Sequence, residues 1–223
     1  MKARIAEVFE TTQGEGLYLG ERQLFVRFFG CNLSCSFCDT KLTRFMEYEP
    51  RELLEEIKLY KNVTSWVAFT GGEPLLQKDF LREILPLTRE EGYKNYLETN
   101  GTLPGELEEV IDFLDIVAMD IKLPSSTGMG NLWKLQRRFL EVASRKEVFL
   151  KAVICRSTEE RDLKDALTLI KEVNSAAVLV LQPNSYEHDE RLREKLESYK
   201  EICRNEKITT CIIPQMHKII GIK

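Results

Sequence analysis

Apolar runs typical of buried strands alternate with helical patterns along most of the chain. Residues 22–30 are rich in aromatic and β-branched side chains and end in glycine, which predicts a buried strand. Residues 159–173 place Leu163, Ala166 and Ile170 on one face of an amphipathic helix. The same criteria predict strands at 22–30, 65–70, 93–99, 115–121, 148–155, 176–181 and 209–213, and helices at 49–60, 78–91, 104–113, 132–143, 159–173 and 189–204.

Strands regularly followed by helices imply right-handed βαβ units around a parallel sheet. Six or seven such units are too few for a closed eight-unit barrel, which typically needs about 250 residues. The pattern therefore predicts an α/β fold with an open, partial (incomplete) β/α barrel. Residues 123–131 collect Pro, Ser and Gly and are predicted to form a loop, and Pro86 predicts a kink in its helix. No linker or repeat divides the chain, so we expect a single domain over residues 1–223.

Composition excludes several classes of function. The chain has 32 Lys and Arg against 36 Asp and Glu, and 43% of its residues are hydrophobic, which is ordinary for a folded globular protein. The slightly acidic balance offers no basic stripe for nucleic acid. No apolar run is long enough to cross a bilayer. Glu7 and Glu10 interrupt the stretch in which a secretory signal would be apolar. We therefore expect a cytoplasmic protein without nucleic-acid or membrane partners.

Three of the six cysteines lie close together, directly after the first predicted strand. Cys31, Cys35 and Cys38 provide thiolates, the soft ligands that zinc and iron–sulfur clusters prefer. In a reducing compartment such a group binds metal or performs redox chemistry more often than it forms disulfides. A closed zinc site needs a fourth ligand nearby, whereas the next cysteine is Cys155. The triplet favours a 4Fe–4S cluster with one iron open to a small molecule, and a zinc knuckle remains the alternative.

The spacing of the triplet resembles the cluster-binding loop of the radical S-adenosylmethionine (SAM) superfamily. In that superfamily the open iron chelates the amino and carboxylate groups of SAM, and an injected electron cleaves SAM to a 5′-deoxyadenosyl radical that abstracts hydrogen from the substrate. The run Thr70-Gly71-Gly72-Glu73-Pro74 alone would predict only a tight turn. Beside the triplet, it resembles the superfamily's SAM-binding glycine motif. The resemblance implies a radical SAM barrel and gives as candidate SAM contacts Gly72, Glu73, Asn100, Lys122 and Gln182.

Further motifs resemble the 7-carboxy-7-deazaguanine synthase family. They are Gln13-Gly14-Glu15-Gly16, Arg27, Asp39-Thr40 after the triplet, and His217-Lys218-Ile219-Ile220-Gly221 near the end of the chain. Members of this family are lyases that convert 6-carboxy-5,6,7,8-tetrahydropterin to 7-carboxy-7-deazaguanine with loss of ammonia, on the route to queuosine and other 7-deazapurines. They regenerate SAM, use Mg²⁺ and dimerise, so the resemblance also implies a homodimer and a flavodoxin- or ferredoxin-type electron donor.

This resemblance also implies roles for individual residues. Phe37 and Asp39 would flank SAM through their backbone, and Thr40 would give Mg²⁺, a hard ion, an oxygen ligand. Arg27 is permanently charged and can pair with a carboxylate or a purine-edge oxygen in forked geometry. His188 is predicted to be a solvated residue at the start of a helix. The candidate pterin contacts are Thr12, Gln13, Gly14, Arg27, Thr70, His217 and the terminal Lys223.

Two other functions share part of this pattern. A glycyl-radical activase, which is another small radical SAM enzyme, would have the cysteine triplet and the glycine pair but would need no pterin pocket and no Mg²⁺ contact from Thr40. A zinc-binding or electron-transfer module would be non-enzymatic, and a simple electron carrier usually completes its cluster with a fourth cysteine.

Overall fold

The structure is a computed structural model that describes residues 1–40, 42–187 and 189–221. The sequence-based predictions for His188 and Lys223 therefore lie outside the described residues. The strands are β1 (Ala3–Thr12), β2 (Arg22–Phe28), β3 (Met46–Tyr48), β4 (Trp66–Gly71), β5 (Lys94–Thr99), β6 (Ile116–Asp120), β7 (Glu147–Ile154), β8 (Leu179–Pro183) and β9 (Thr210–Ile212). The helices are α1 (Pro50–Lys58), α2 (Lys78–Glu90), α3 (Pro104–Glu108), α4 (Pro124–Thr127), α5 (Trp133–Ala143), α6 (Glu160–Asn174), α7 (Glu190–Asn205) and α8 (Met216–Ile220).

All these strands belong to one sheet, in the order β3-β1-β2-β4-β5-β6-β7-β8-β9. From β2 onward each neighbour is parallel, as the alternation of strands and helices predicted. The first strand instead pairs antiparallel with β2 and β3. In the described part of the chain, β3 and β9 end the sheet without pairing with each other. The sheet is thus open, and the predicted partial barrel is confirmed.

Alternation along the parallel strands separates two layers of side chains. On β2, Leu24, Val26 and Phe28 pack in the main core, while Phe25 and Arg27 point the other way, into the barrel. A small apolar layer fills the barrel interior with Phe25, Ala68, Tyr96, Ala118, Phe149 and Val180. Two positions further along the same six strands stand Arg27, Thr70, Glu98, Asp120, Lys151 and Gln182, which we call the polar rim. Ligand chemistry is thereby confined to the carboxyl ends of the strands.

The loop between β1 and β2 closes the barrel interior below the polar rim. The ring of Tyr18 packs against Trp66, Tyr96 and Phe149, with ring centres 5.3, 5.7 and 6.4 Å away. Its hydroxyl donates a hydrogen bond to Glu147 at 2.5 Å. Because this aromatic cluster fills the interior, the space for ligands lies at the rim above it.

Several elements differ from the sequence-based prediction. The hydrophobic pattern missed β1 because acidic residues interrupt it, and it missed β3 and α8 because both are very short. Residues 123–131 are not entirely a loop, since they contain α4. The predicted helix 104–113 divides into α3 and a 3₁₀ turn at Ile111–Phe113. Helix α2 continues through Pro86.

The helices of the described residues are all shorter than the roughly 20 residues that crossing a bilayer requires. The longest of them, α7, has 16 residues. Within the described part of the chain, none combines the length and the apolar character needed to span a membrane.

Candidate active site

A cavity of about 510 Å³ opens at the polar rim, a size that suits a small-molecule site. Its wall contains nearly all the candidate residues within the described part of the chain. They are Cys31, Cys35, Cys38, Phe37, Asp39, Thr40, Gly72, Asn100, Lys122 and Gln182, together with Thr12, Gln13, Gly14, Arg27, Thr70 and His217. The structure thus brings the candidate cluster, SAM and pterin residues into one space. Glu73 is the described candidate that does not line it.

The cysteine loop, residues 31–40, begins just beyond the paired ends of β2 and β4, where Phe28 lies opposite Gly71. The Gly72 N–H donates to the Phe28 carbonyl at 3.0 Å, and the Glu73 N–H donates to the Gly30 carbonyl at 2.8 Å. A Cβ atom on Gly72 would lie 2.0 Å from the Gly30 oxygen and 3.0 Å from the Cys31 nitrogen. Glycine is therefore required here, because any side chain would push the first cysteine away from β4.

The middle of the cysteine loop rests on α4. The Ser36 N–H donates to the Thr127 carbonyl, and the Ser36 hydroxyl donates to the Ser126 carbonyl, both at 2.9 Å. The segment predicted as a plain loop therefore contributes a support for the thiols. Sequence reasoning missed this support because four helical residues leave no periodic signal.

The three thiols of the cysteine loop differ in their exposure. Cys31 and Cys38 are exposed and Cys35 is half-buried. Burial raises the pKa of the Cys35 thiol, and the nearby Lys122 ammonium opposes that rise. Within residues 1–40, 42–187 and 189–221, no three His, Cys, Asp or Glu side chains are grouped so as to hold one metal ion. A 4Fe–4S cubane binds each thiolate through a different iron, and all three thiols line the cavity, so they can hold such a cluster there.

Two further features of the wall fit SAM. The side chain of Gln182 is buried, and its Oε1 accepts no hydrogen bond from the described residues, which leaves an acceptor for a ligand N–H. The Asn100 amide donates to Asn32 Oδ1 at 2.8 Å and lies 3.8 Å from the Cys31 sulfur. Asn100 thus stands beside the first thiol, where an amino acid bound to the cluster would lie.

Glu73 is fully buried behind the wall rather than facing the cavity, which differs from the expected direct contact with SAM. Its carboxylate accepts hydrogen bonds from the Asn100 N–H at 2.7 Å, the Thr99 hydroxyl at 2.9 Å and the Leu75 N–H at 3.1 Å. Burial raises its pKa to about 7, although the two backbone hydrogen bonds oppose that rise. Glu73 therefore fixes the position of Asn100 from behind.

The candidate pterin residues surround a carboxylate that the sequence-based assignment omitted. The buried Gln13 amide donates to Glu98 Oε1 at 2.9 Å and to Gln23 Oε1 at 3.2 Å. The Thr70 hydroxyl donates to Glu98 Oε2 at 2.6 Å. The available signal for Glu98 was its place near the end of a strand, on the same face as the buried Tyr96.

Arg27 and His217 complete this part of the wall. Arg27 Nε lies 3.1 Å from Glu7 Oε2, and its guanidinium carbon lies 5.4 Å from the centre of the Phe9 ring. His217 packs so closely on Gly14 that a Cβ there would lie 2.5 Å from the imidazole Nδ1. The small residue at position 14 thus lets α8 approach the cavity.

A row of alternating charges crosses the polar rim. Lys122 donates to Asp120 Oδ2 at 2.8 Å, Lys151 lies 3.3 Å from Asp120 Oδ1 and also donates to the Glu15 carboxylate, and Gln215 donates to Glu15 Oε1 at 2.6 Å. Burial alone would raise the pKa values of Glu15 and Asp120, but the lysines outweigh it and lower both. Sequence reasoning assigned no role to Lys151 or Gln215. A lone lysine within an apolar strand was the signal for Lys151.

The end of the described chain contacts the cysteine loop. The Lys218 ammonium and the Gln215 amide both donate to Asp39 Oδ2, the latter at 3.1 Å, and the Thr40 hydroxyl donates to Asp39 Oδ1 at 3.3 Å. Burial would raise the pKa of Asp39, but these hydrogen bonds lower it. Asp39 is therefore ionised beside Thr40, and its carboxylate is paired with the Lys218 ammonium.

The chain is similar in sequence to known radical SAM proteins. The family model of the Radical SAM superfamily matches residues 25–196. A 7-carboxy-7-deazaguanine synthase from Geobacter sulfurreducens is 36% identical over 98% of this chain and 97% of its own length. Another, from Archaeoglobus fulgidus, is 31% identical over 100% of both chains.

Solved structures show the same fold. The crystal structure of QueE from Escherichia coli has a TM-score of 0.66 at 21% identity, covering 95% of this chain and 94% of that one. A structure of TYW1 with a lysine–pyruvate adduct has a TM-score of 0.59 at 15% identity, covering 82% of this chain and 73% of that one.

The sequence matches favour the synthase family over a glycyl-radical activase and over a zinc or electron-transfer module. Membership of the superfamily implies a 4Fe–4S cluster and SAM as cofactors, and the thiols and the cavity wall fit both. The chain belongs to the 7-carboxy-7-deazaguanine synthase family of radical SAM lyases.

Proposed function

We propose that this chain converts 6-carboxy-5,6,7,8-tetrahydropterin to 7-carboxy-7-deazaguanine with loss of ammonia, on the route to queuosine and related 7-deazapurines. The observation that carries the proposal is the shared cavity, whose wall holds the three thiols together with the candidate pterin residues. Because a radical abstracts hydrogen only from a substrate held close to it, the cofactor and the substrate must share such a space.

Residues on one side of the cavity would hold the cluster and SAM. Cys31, Cys35 and Cys38 would hold the cluster, and the cluster and SAM, when bound, supply the one-electron chemistry that removes a hydrogen atom from the substrate. Backbone groups around Gly72 and the amide of Asn100 would bind the aminoacid end of SAM. Further SAM contacts would come from the backbone of Phe37 and Asp39 and from the side chains of Lys122 and Gln182.

The substrate side has the chemistry that a carboxylated pterin requires. Such a pterin presents N–H donors along its pyrimidine edge and a carboxylate on the other ring. Glu98 offers carboxylate oxygens to N–H donors, with Gln13 and Thr70 holding it in place. Arg27, at the cavity wall, would pair with the substrate carboxylate. Further contacts would come from Thr12, Gly14 and His217, and from the chain terminus at Lys223.

Three further properties belong to the same proposal. Mg²⁺, which prefers oxygen ligands, would be held by the Thr40 hydroxyl beside the ionised Asp39. We also propose a cytoplasmic homodimer of single-domain chains that takes its electron from a flavodoxin- or ferredoxin-type donor. Sedimentation equilibrium of the reconstituted protein tests the dimer, because a monomer at micromolar concentration would contradict it.

The decisive experiment is an anaerobic assay of the purified protein. Iron and sulfide are reconstituted, SAM, Mg²⁺, a reductant and carboxytetrahydropterin are added, and the products are followed by mass spectrometry. We expect 7-carboxy-7-deazaguanine to form with unchanged total SAM. An intact cluster that cleaves SAM but yields no deazaguanine would contradict the proposed substrate and favour a different radical SAM reaction.

A further inference from the structure

Lys151 lies at the centre of the row of charges across the polar rim. Its ammonium group donates to the Glu15 carboxylate and lies 3.3 Å from Asp120 Oδ1, and its side chain is only 14% exposed. Sheet register places it directly beside Asp120 on the neighbouring strand. Glu15, in contrast, comes from the loop between β1 and β2. One cation therefore joins carboxylates from two distant parts of the chain.

Glu15 connects this cation to the candidate pterin residues. Lys151 and Gln215 bind one oxygen each of the Glu15 carboxylate. The Glu15 N–H donates to Gln13 Oε1 at 3.1 Å, which turns the Gln13 amide nitrogen toward Glu98 at 2.9 Å. The side-chain amide of Gln13 is planar, so a hydrogen bond to its oxygen also fixes the direction of its N–H donors. Fixing Glu15 therefore also fixes the orientation of Gln13.

Asp120 connects the same cation to the candidate SAM residues. While Lys151 lies beside one carboxylate oxygen, Lys122 donates to the other at 2.8 Å. The Lys122 ammonium also lies 5.5 Å from the centre of the Phe37 ring, within the range of a cation–π contact. Lys151 therefore fixes Asp120, and Asp120 in turn fixes the position of Lys122 at the cavity wall.

We propose that Lys151 is a positioning residue for both ligands, holding Glu15 on the substrate side and Asp120 on the SAM side. This inference rests on the proposed function. A purely structural role is a poor explanation, because well-packed apolar residues often replace a buried ion pair without loss of stability. The inward neighbours of Lys151 on β7, Phe149 and Val153, are indeed apolar. The ammonium thus serves the placement of groups at the cavity wall.

Binding measurements on Lys151→Met test the proposal, with Lys151→Arg and Lys171→Met as matched variants. Lys171 also pairs with a glutamate, Glu206, but on the exposed surface of α6. In anaerobically reconstituted protein we expect K151M to weaken the binding of SAM and of 6-carboxy-5,6,7,8-tetrahydropterin by about tenfold each, or about 1.4 kcal/mol. K151R should recover most of both affinities, and K171M should match the wild type.

A double-mutant cycle with Glu15→Gln separates positioning from a direct contact. If Lys151 acts on the pterin through Glu15, K151M should have little further effect on pterin affinity in the E15Q background. Its effect on SAM affinity should persist there, because that effect runs through Asp120. If K151M does not fold, Lys151→Gln keeps a hydrogen-bond donor without the charge and is measured in its place.

Two results would overturn the inference. One is a folded K151M protein that binds both ligands within twofold of the wild type. The other is an equal loss of pterin affinity from K151M in the wild-type and E15Q backgrounds. If the wild type binds SAM but no carboxytetrahydropterin, the proposed substrate is wrong. The SAM affinities of K151M and K151R then still decide whether Lys151 positions the SAM side.

Discussion

Gly72 packs against the backbone that leads into the cysteine loop, and Gly72→Ala tests this contact. The new methyl carbon would lie 2.0 Å from the Gly30 oxygen and 2.5 Å from its carbonyl carbon. Both are backbone atoms, so no side-chain rotation can relieve the overlap. The end of β4 must move away by about 1 Å to restore even a tight contact.

The size of the effect follows from what this movement breaks. The Gly72 to Phe28 and Glu73 to Gly30 hydrogen bonds hold the two strand ends at 3.0 and 2.8 Å. Each is worth about 1 kcal/mol net, and forced overpacking costs about 1–3 kcal/mol. We expect G72A to lower the free energy of unfolding by about 3–5 kcal/mol if both hydrogen bonds are lost. Because Cys31 moves with this backbone, the variant should also bind less iron.

The assay is urea unfolding of the cluster-free protein, followed by iron and sulfide analysis after anaerobic reconstitution. Gly105→Ala is the matched control, since Gly105 lies in α3 and its new methyl group would meet no atom within 4 Å. Alanine in a helix should leave stability unchanged or raise it by up to about 1 kcal/mol. A G72A protein with wild-type stability and full iron content would refute the close-approach argument.

Three further predictions concern single side chains of the site. The folded-state pKa of Glu73, about 7, lies above the ordinary value of 4.5. The Glu73 side chain therefore contributes its full stabilisation below about pH 4.5, and this stabilisation is lost as the pH rises through 7. Relative to Glu73→Gln, the wild type should lose up to about 3 kcal/mol of unfolding free energy between pH 5 and pH 8. Urea unfolding that gives the same difference in free energy between the two proteins at both pH values would contradict this. Arg27→Lys should raise the KM for the pterin about tenfold or more, because an ammonium cannot bind Glu7 and a carboxylate in forked geometry; an unchanged KM in steady-state assays would remove Arg27 from the substrate site. Thr40→Ala should raise the Mg²⁺ concentration for half-maximal rate, whereas Thr43→Ala, an exposed neighbour outside the cavity wall, should not; equal Mg²⁺ curves for both variants would exclude Thr40 as a ligand.

The amino-acid sequence carried the information that is local along the chain. Three thiols within eight positions and the glycine pair after the next strand lie in short segments, so they could be recognised without a fold. The alternation of strands and helices likewise predicted the parallel sheet and its incompleteness. Strand periodicity of two also explains why Arg27 turns inward, since Val26 and Phe28 on either side of it belong to the outer core.

Predictions failed where local signals were weak or interrupted. Strand β1 owes its place to pairing with β2, because its own pattern contains acidic residues. The four residues of α4 and the five of α8 are too few to show a helical period, yet one supports Ser36 and the other brings His217 to the cavity.

The tertiary structure alone decided which charged groups meet. Glu15, Asp120 and Lys151 are separated by more than a hundred positions at the extremes, and nothing in local periodicity relates them. Sheet register sets Asp120 beside Lys151, and the packing of Tyr18 into the barrel interior fixes the loop that carries Glu15. The sequence thus determined which chemistry the chain carries, and folding determined how the side chains of that chemistry are held, because ion pairs and hydrogen bonds depend on distances in space that only the packed sheet sets.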